Sequence, residues 1–312
     1  MTATAPTEAT TFALNRSRRR ADSLFSGIVK AAGLVIVIVL TGVALFLLVE
    51  GLPAVTASGE DLPGGQGFLS YVWPLLFGTL LSSAIALIVA TPLSVGIALF
   101  LTHYAPPKIA APFGYLVDLL AAVPSVVIGL WGANFLGTHL VPVYTWLGEH
   151  LSWIPLFSGP ASATGRTMLT AGLVLAIMIL PIVTALCREV FRQAPRLQKE
   201  AALALGATRW EMLREVVLPF GRSGIISATL LGLGRALGET MAVALVLSAS
   251  GAVTFNLIGS SNPSTIAANV ALKFPESTGI DVNLLIATGL VLFVITFLVN
   301  FLGRAAVRRQ AT

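Results

Sequence analysis

Long apolar runs, nearly free of charge, recur along this chain, with shorter polar segments between them. They fall at 31–49, 73–101, 116–136, 167–187, 223–247 and 282–303. The hydrocarbon core of a bilayer takes about 20 apolar helical residues, so the pattern predicts six transmembrane helices. The runs do not alternate polar and apolar positions, as the strands of a membrane barrel do. The expected fold is therefore all-α, a polytopic bundle of six spans. Pro74 opens the second run and Pro92 lies inside it, which predicts a kink there. Pro181 lies near the end of the fourth.

The first dozen residues, MTATAPTEATTF, are polar and low in complexity, which predicts a disordered start. RSRRR at 16–20 resembles the basic region of a signal peptide, but the apolar run that follows is 19 residues long. A signal peptide carries roughly 7–15, so a retained span is expected. The division that results is a disordered cytoplasmic tail at 1–28 and a first transmembrane helix with outer loop at 29–72. A core domain at 73–303 contains the cytoplasmic loop 188–220, and a cytoplasmic tail follows at 304–312.

Basic residues orient this bundle. With both termini in the cytoplasm, 16 of the 19 lysines and arginines fall on the inner side. Only Arg166 and Lys273 fall outside, and Arg235 lies within a span. Such a bias is the positive-inside pattern, and basic segments at both ends fit an even number of spans. The net charge of +5 is then a matter of topology, and no nucleic-acid partner is expected. The composition, 56% hydrophobic and 11% charged, fits lipid as the surroundings, since soluble domains carry about 25% charged residues. Cys187 stands alone, which excludes an internal disulfide, and His103, His139 and His150 lack metal-ligand spacing. Neither a metal nor a cofactor is expected.

Two longer outer loops are expected, at 137–166 and 249–281. Trp146 and Trp153 in the first, with Trp131 nearby, mark either an interfacial aromatic belt or a surface for an external partner. In the second, Asn262, Pro263, Ser264 and Thr265 precede an apolar stretch to Leu272. That predicts a turn and a capped short helix, lying on the membrane or reaching into the bundle mouth. Asp118, at the start of the third run, is expected to face the positive end of its helix dipole.

Two segments carry candidate chemistry. The first, CREVFRQAPRLQKEAALALGATRWEMLREVVLPF at 187–220, is rich in charge between two spans. It predicts a short helix at 197–205 with Lys199 and Glu200 on its polar side, a break at Gly206, and a second helix at 207–217 closed by Pro219. This hinged pair is either a solvated loop or a docking element. The second segment, GLGRALGETMAVALVL at 232–247, places Arg235 and Glu239 four residues apart inside a span. On one helix the two share a face, and Arg235 would lie about 18 Å in from Ser223, near the bilayer midplane. A charge there costs at least about 2.5–3.5 kcal/mol, so neither residue can face lipid. They are either a self-neutralising pair that orients the helix or a site on a polar path. Gly234 and Gly238 form a small-xxx-small pattern that would admit a neighbouring helix. Arginine's planar, permanently charged fork suits a tetrahedral oxyanion.

Glu200, Ala201, Ala202, then Gly206, then the VVLP of 216–219, resemble the EAA signature of ABC-importer permeases. VPSVVIGLWG at 123–132 and GRALGETMA at 234–242 are similar to segments of the phosphate-transport permeases. The Thr-Met-Ala ending is closer to the PstC type than to the PstA type. The resemblance implies a type I ABC-importer permease bundle in a bacterial cytoplasmic membrane. It implies that Arg235, Glu239 and Thr240 lie on the substrate path and that Glu200, Ala201, Ala202 and Gly206 couple to an ATPase. Expected partners are a PstA-type permease, two cytoplasmic ATPase subunits and an external phosphate-binding protein. None of the four lysines (30, 108, 199 and 273) follows a glycine, so the chain lacks a phosphate loop and no catalytic role is expected. Sulfate or molybdate permeases share the coupling loop and stand as alternatives. An ion-coupled secondary transporter or a membrane scaffold would not account for both segments.

Overall fold

The structure, a computed structural model, describes residues 8–308 except Gly64 and Ala252. Residues 8–50 and the remainder form two separate units. The first is most of α1 (Glu8–Thr56), whose apolar side chains, such as Leu34 and Val39, are exposed as those of a lipid-facing helix are. Of the tail expected to be disordered, 1–7 lie outside the described residues, and the backbone is helical from Glu8 onward.

The second unit is built from α2 (Phe68–Leu99), α3 (Pro107–Ala121), α4 (Ser125–Trp131), α5 (Gly137–His150) and α6 (Met168–Arg192). They are followed by α7 (Arg196–Ala204), α8 (Arg209–Met212), α9 (Leu218–Leu237), α10 (Met241–Val246), α11 (Ile266–Lys273) and α12 (Ile280–Arg308). Among the described residues six helical stretches are long and apolar enough to span a membrane: Ser23–Thr56, Phe68–Tyr104, Ser125–His150, Met168–Arg192, Arg209–Leu237 and Ile280–Ala305. The chain is a multi-pass α-helical membrane protein.

The core is centred on α6, whose N-terminus is capped by Thr167 accepting the Thr170 N–H at 3.1 Å. α2 and α9 lie against it through small residues. A side chain at Gly172 would run into Ile85, and one at Gly232 would meet Val183 at 2.9 Å. Close backbone approach of this kind compensates for the lack of a hydrophobic drive between helices in lipid.

Three expectations about the spans are corrected. The run 116–136 is two helices, because Pro124 disfavours a helical Val123 and has no N–H to continue the ladder. The span instead starts at Ser125, passes a wide turn at Gly132–Leu136 and ends at His150. Trp146 therefore lies on the last turn of the span, and the expected outer loop starts only after His150. Asp118 consequently lies near the C-terminal end of α3, where the dipole disfavours it. It is offset by Arg188 of α6 at 3.3 Å, whose guanidinium fits where Gly114 has no side chain. Finally, Pro219 does not close the helix after Gly206. The wide turn Leu213–Val217, with Leu218 N–H donating to Leu213 O, takes up the clash and the missing N–H of the proline, and the helix continues to Leu237.

The capped helix expected after Thr265 is present and enters the bundle. Thr265 accepts the Ala268 N–H at 3.3 Å, and Ile266, Ala267, Ala268 and Asn269 are buried. Thr79 of α2 accepts the Ile266 N–H at 2.9 Å. The fully buried Asn262 accepts the Met168 N–H at 3.1 Å and donates to Gly259 O at 3.1 Å. That side chain ties the loop to the start of α6.

Candidate functional site

The fifth span does not run through the 232–247 segment. α9 stops at Leu237, residues 238–240 are non-helical, and α10 begins at Met241. Glycine is a poor helix former, and Gly238 caps α9 in a non-helical conformation at φ −92° and ψ 1°. Thr240 turns its hydroxyl back onto Gly238 O at 3.1 Å. Glu239 Oε1 accepts the Ala242 N–H at 3.3 Å.

The break accounts for both charges. Arg235 is in the last turn of α9, at the negative end of its dipole, and Glu239 precedes α10, at the positive end. The expected side-by-side pair on one helix is not what forms, since the helix between the two residues unwinds. Among the described residues they make no ion pair within 4 Å; the ion pairs there are Arg188–Asp118 and Arg214–Glu215.

α9 has two faces. Ala228, Gly232 and Ala236, spaced by four, are buried toward α6. Leu231 and Arg235 are exposed, and a side chain added at Gly234 would meet nothing within 4 Å. Gly238 is close only to Gly234 O, at 3.6 Å. The close helix approach expected at Gly234 and Gly238 is thus not made by the described residues of this chain, and the face stays open.

The two membrane motifs meet in space. Gly129 of α4 lies so close to α10 that a Cβ there would come within 2.7 Å of Ala242 Cα. Gly132 abuts Val174 and Val246 in the same way. This join between the third span and α10 was missed by the sequence reasoning. Its signals were Pro124, which caps the start of α4, and Gly238, which ends α9.

Glu200, Ala201, Ala202 and Gly206 form one knob. α7 ends with Ala207 N–H donating to Ala202 O at 3.1 Å and Gly206 N–H to Leu203 O at 3.0 Å. These paired bonds make a Schellman cap, and Gly206 adopts φ +89° to complete it. A capping box starts α8, in which Thr208 N–H donates to Glu211 Oε2 at 2.7 Å and Glu211 N–H to Thr208 Oγ1 at 3.3 Å. Glu200 and Ala201 are exposed, and Ala202 packs at the edge of the core beneath. Leu197 and Leu205 are 80% and 90% exposed, and Trp210 is exposed too. The knob thus presents several apolar side chains to its surroundings.

Among the described residues no three His, Cys, Asp or Glu side chains converge as metal ligands, and Cys187 is buried.

Residues 90–312 match the family model described as "Binding-protein-dependent transport system inner membrane component". The chain is 47% identical over 302 residues to "Phosphate transport system permease protein PstC 2" of Mycobacterium tuberculosis, covering 93% of each chain. It is 36% identical over 299 residues to "Phosphate transport system permease protein PstC" of Mesorhizobium japonicum, covering 92% of this chain and 90% of that one. The fold is similar to a chain of a bacterial alginate ABC transporter crystallised with its pentasaccharide-bound periplasmic protein, with a TM-score of 0.56 at 16% identity. That match covers 90% of this chain and 96% of the other. The helical bundle agrees with these relationships, and the chain belongs to the inner-membrane permease components of binding-protein-dependent transport systems, in their PstC group.

Proposed function

We propose that the chain is the PstC-type permease subunit of an ATP-driven importer that carries inorganic phosphate across a bacterial cytoplasmic membrane. It pairs with a PstA-type permease, and the path runs between the two. Two ATPase subunits carry out hydrolysis and dock on the inner side, one of them against the knob of Glu200, Ala201, Ala202 and Gly206. An external phosphate-binding protein docks on the opposite side, and both termini are cytoplasmic.

The observation that carries this reading is the open face of α9. An arginine at membrane depth is too costly to leave against lipid. Arg235 has no ion-pair partner among the described residues, and Gly234 beside it leaves room for a second chain. A companion permease covering that face, with water and anion between, resolves the cost. Arg235 offers a permanent charge and a planar set of donors to phosphate. Glu239 holds the start of α10 and can accept from a protonated phosphate, a bond that a fully deprotonated sulfate cannot donate. The Thr240 hydroxyl is the third polar group of the break. Affinity at this point is weak, because tight binding would slow release. ATP-driven closure of the ATPases moves the knob, and the long helix Arg209–Leu237 connects that movement to the break.

The test is uptake of labelled phosphate by cells carrying Arg235→Ala, with membrane level and ATPase co-purification measured alongside. Uptake is expected to be lost from an intact complex. Normal uptake would remove Arg235 from the path.

A further inference from the structure

A polar hollow lies away from the break. It has a volume of about 460 Å³ and is bordered by the start of α2, residues 249–251 and α11. Gln66, Ser70, Tyr71, Asn269 and Lys273 are in its wall, and no acidic side chain is. With the basic residues inside, this hollow opens at the outer mouth of the bundle.

Its polar groups are arranged as donors. The Tyr71 hydroxyl accepts from Asn269 Nδ2 at 2.9 Å and from Lys273 Nζ at 3.2 Å. A hydroxyl has two acceptor positions and one hydrogen; with both positions filled, the hydrogen remains to be donated. The Lys273 ammonium sits 5.0 Å from the centre of the Tyr71 ring and has used one of its three N–H donors. No carboxylate lies within 4 Å of it among the described residues. Ser70 Oγ donates to Gln66 Oε1 at 3.1 Å, which turns the free half of that amide, its NH2, to donor work. Asn269 is buried on a helix held by its Thr265 cap and by Thr79, so the lysine and tyrosine are set on a rigid base. Lys273 is exposed, but its ammonium bends back over the Tyr71 ring instead of extending away into water. Glu276 and Asp281 border a second hollow of about 240 Å³ that shares Tyr71 and Lys273. Their charge disfavours an anion there and leaves the larger hollow as its place.

We propose that Tyr71 and Lys273, positioned by Asn269, form a low-affinity reception site for a tetrahedral oxyanion. The site holds phosphate between its release from the external binding protein and its passage to Arg235. This rests on the phosphate-import reading above. α10, followed by Leu247 and Ser248, separates the 249–251 edge of the hollow from the break at Glu239 and Thr240, and the six helical residues of α10 span about 9 Å. The anion thus meets two cationic stations in succession, each weak enough to release it.

The experiment titrates labelled inorganic phosphate, and separately labelled sulfate, onto the complete permease–ATPase complex in lipid nanodiscs without the binding protein. Lys273→Gln is expected to weaken phosphate binding about tenfold or more, the scale of one hydrogen bond to a charged group. Lys273→Arg restores most of it, and Tyr71→Phe gives a smaller loss. Equal affinity in wild type and Lys273→Gln overturns the site, as does a wild-type complex that binds neither anion. Binding of sulfate alone, lost in Lys273→Gln, supports the reception site and sinks the phosphate reading instead. Recovery in Lys273→Arg separates lost charge from a misfolded mouth.

Discussion

The knob after α6 and the break after α9 are both helix interruptions marked by a glycine, yet they are held in opposite ways. The knob is held locally. Ala202, Leu203, Gly206, Ala207, Thr208 and Glu211 satisfy one another's backbone and side-chain groups within ten positions of sequence. Nothing lies within 4 Å of the place where a Gly206 side chain would be. The break at 238–240 has lighter local support: Glu239 N–H donates to Ala236 O at 3.4 Å, Ala242 N–H to Glu239 Oε1 at 3.3 Å, the Thr240 hydroxyl to Gly238 O at 3.1 Å and Ala244 N–H to Thr240 O at 3.0 Å. What fixes it is distant in sequence: Gly129 against Ala242, and Gly132 against Val174 and Val246. On the proposed function, the docking surface is the self-sufficient one, and the transport site is the junction whose geometry other helices impose.

The strongest way to break this comparison is Gly129→Val. Its Cβ would lie 2.7 Å from the Ala242 backbone, which cannot rotate aside as a flexible side chain would. Overpacking of this kind typically costs about 1–3 kcal/mol. Here the strain falls on the start of α10, so phosphate uptake is expected to be abolished. ATPase co-purification, read from the knob, should survive. Loss of both together would mean that the two interruptions are not independent.

Much of the knob was legible in sequence for the same reason that it is self-sufficient. Gly206 as a helix end, and a helix on either side of it, follow from residues within a few positions of each other. The break was not legible. Arg235 and Glu239 were expected on one continuous helix because spacing alone brings them together, and only the packing of α4 shows why the helix yields at Gly238. The third span shows the same limit, since hydropathy runs smoothly across Val123 and Pro124 although the backbone does not. Asp118 illustrates it once more: with the helix boundary moved, its dipole environment reversed, and its partner Arg188 lies 70 residues away. Six apolar runs sufficed for the number of spans. The identity of the site residues came from motif similarity, and their geometry came from the fold.

A sharper test of local control is Gly206→Val set beside Gly206→Asn. Both add a Cβ into open space, so packing is unaffected and only the backbone at φ +89° is strained. A β-branched residue in the left-handed region costs about 1–3 kcal/mol, whereas asparagine tolerates that region. Gly206→Val is expected to uncouple ATP hydrolysis from phosphate uptake, with Gly206→Asn near wild type. Equal behaviour of the two variants would show that the cap conformation is not what transmits the movement. Normal transport by Gly206→Val would remove the hinge from the coupling route.

Thr208→Ala is the mildest probe and isolates the capping box. It removes the hydroxyl that accepts the Glu211 N–H and donates to Glu211 Oε2 at 2.8 Å, while leaving the backbone bond from Thr208 N–H to the same carboxylate possible. Loss of an N-cap threonine costs about 1 kcal/mol. Because the helix that starts here runs on through the wide turn to Leu237, the cost is expected to be confined to its first turn, where the next helical bonds are still secured by the buried Met212, Leu213 and Val217. Amide exchange should therefore quicken by roughly fivefold, the equivalent of about 1 kcal/mol, at the N–H groups of Glu211 and Met212, which bond to Thr208, and stay unchanged at Gly232 and Ala236. If exchange instead quickens across the break at 238–240, then the knob and the break share one cooperative unit, and the contrast between a locally held docking surface and a remotely held transport junction no longer stands.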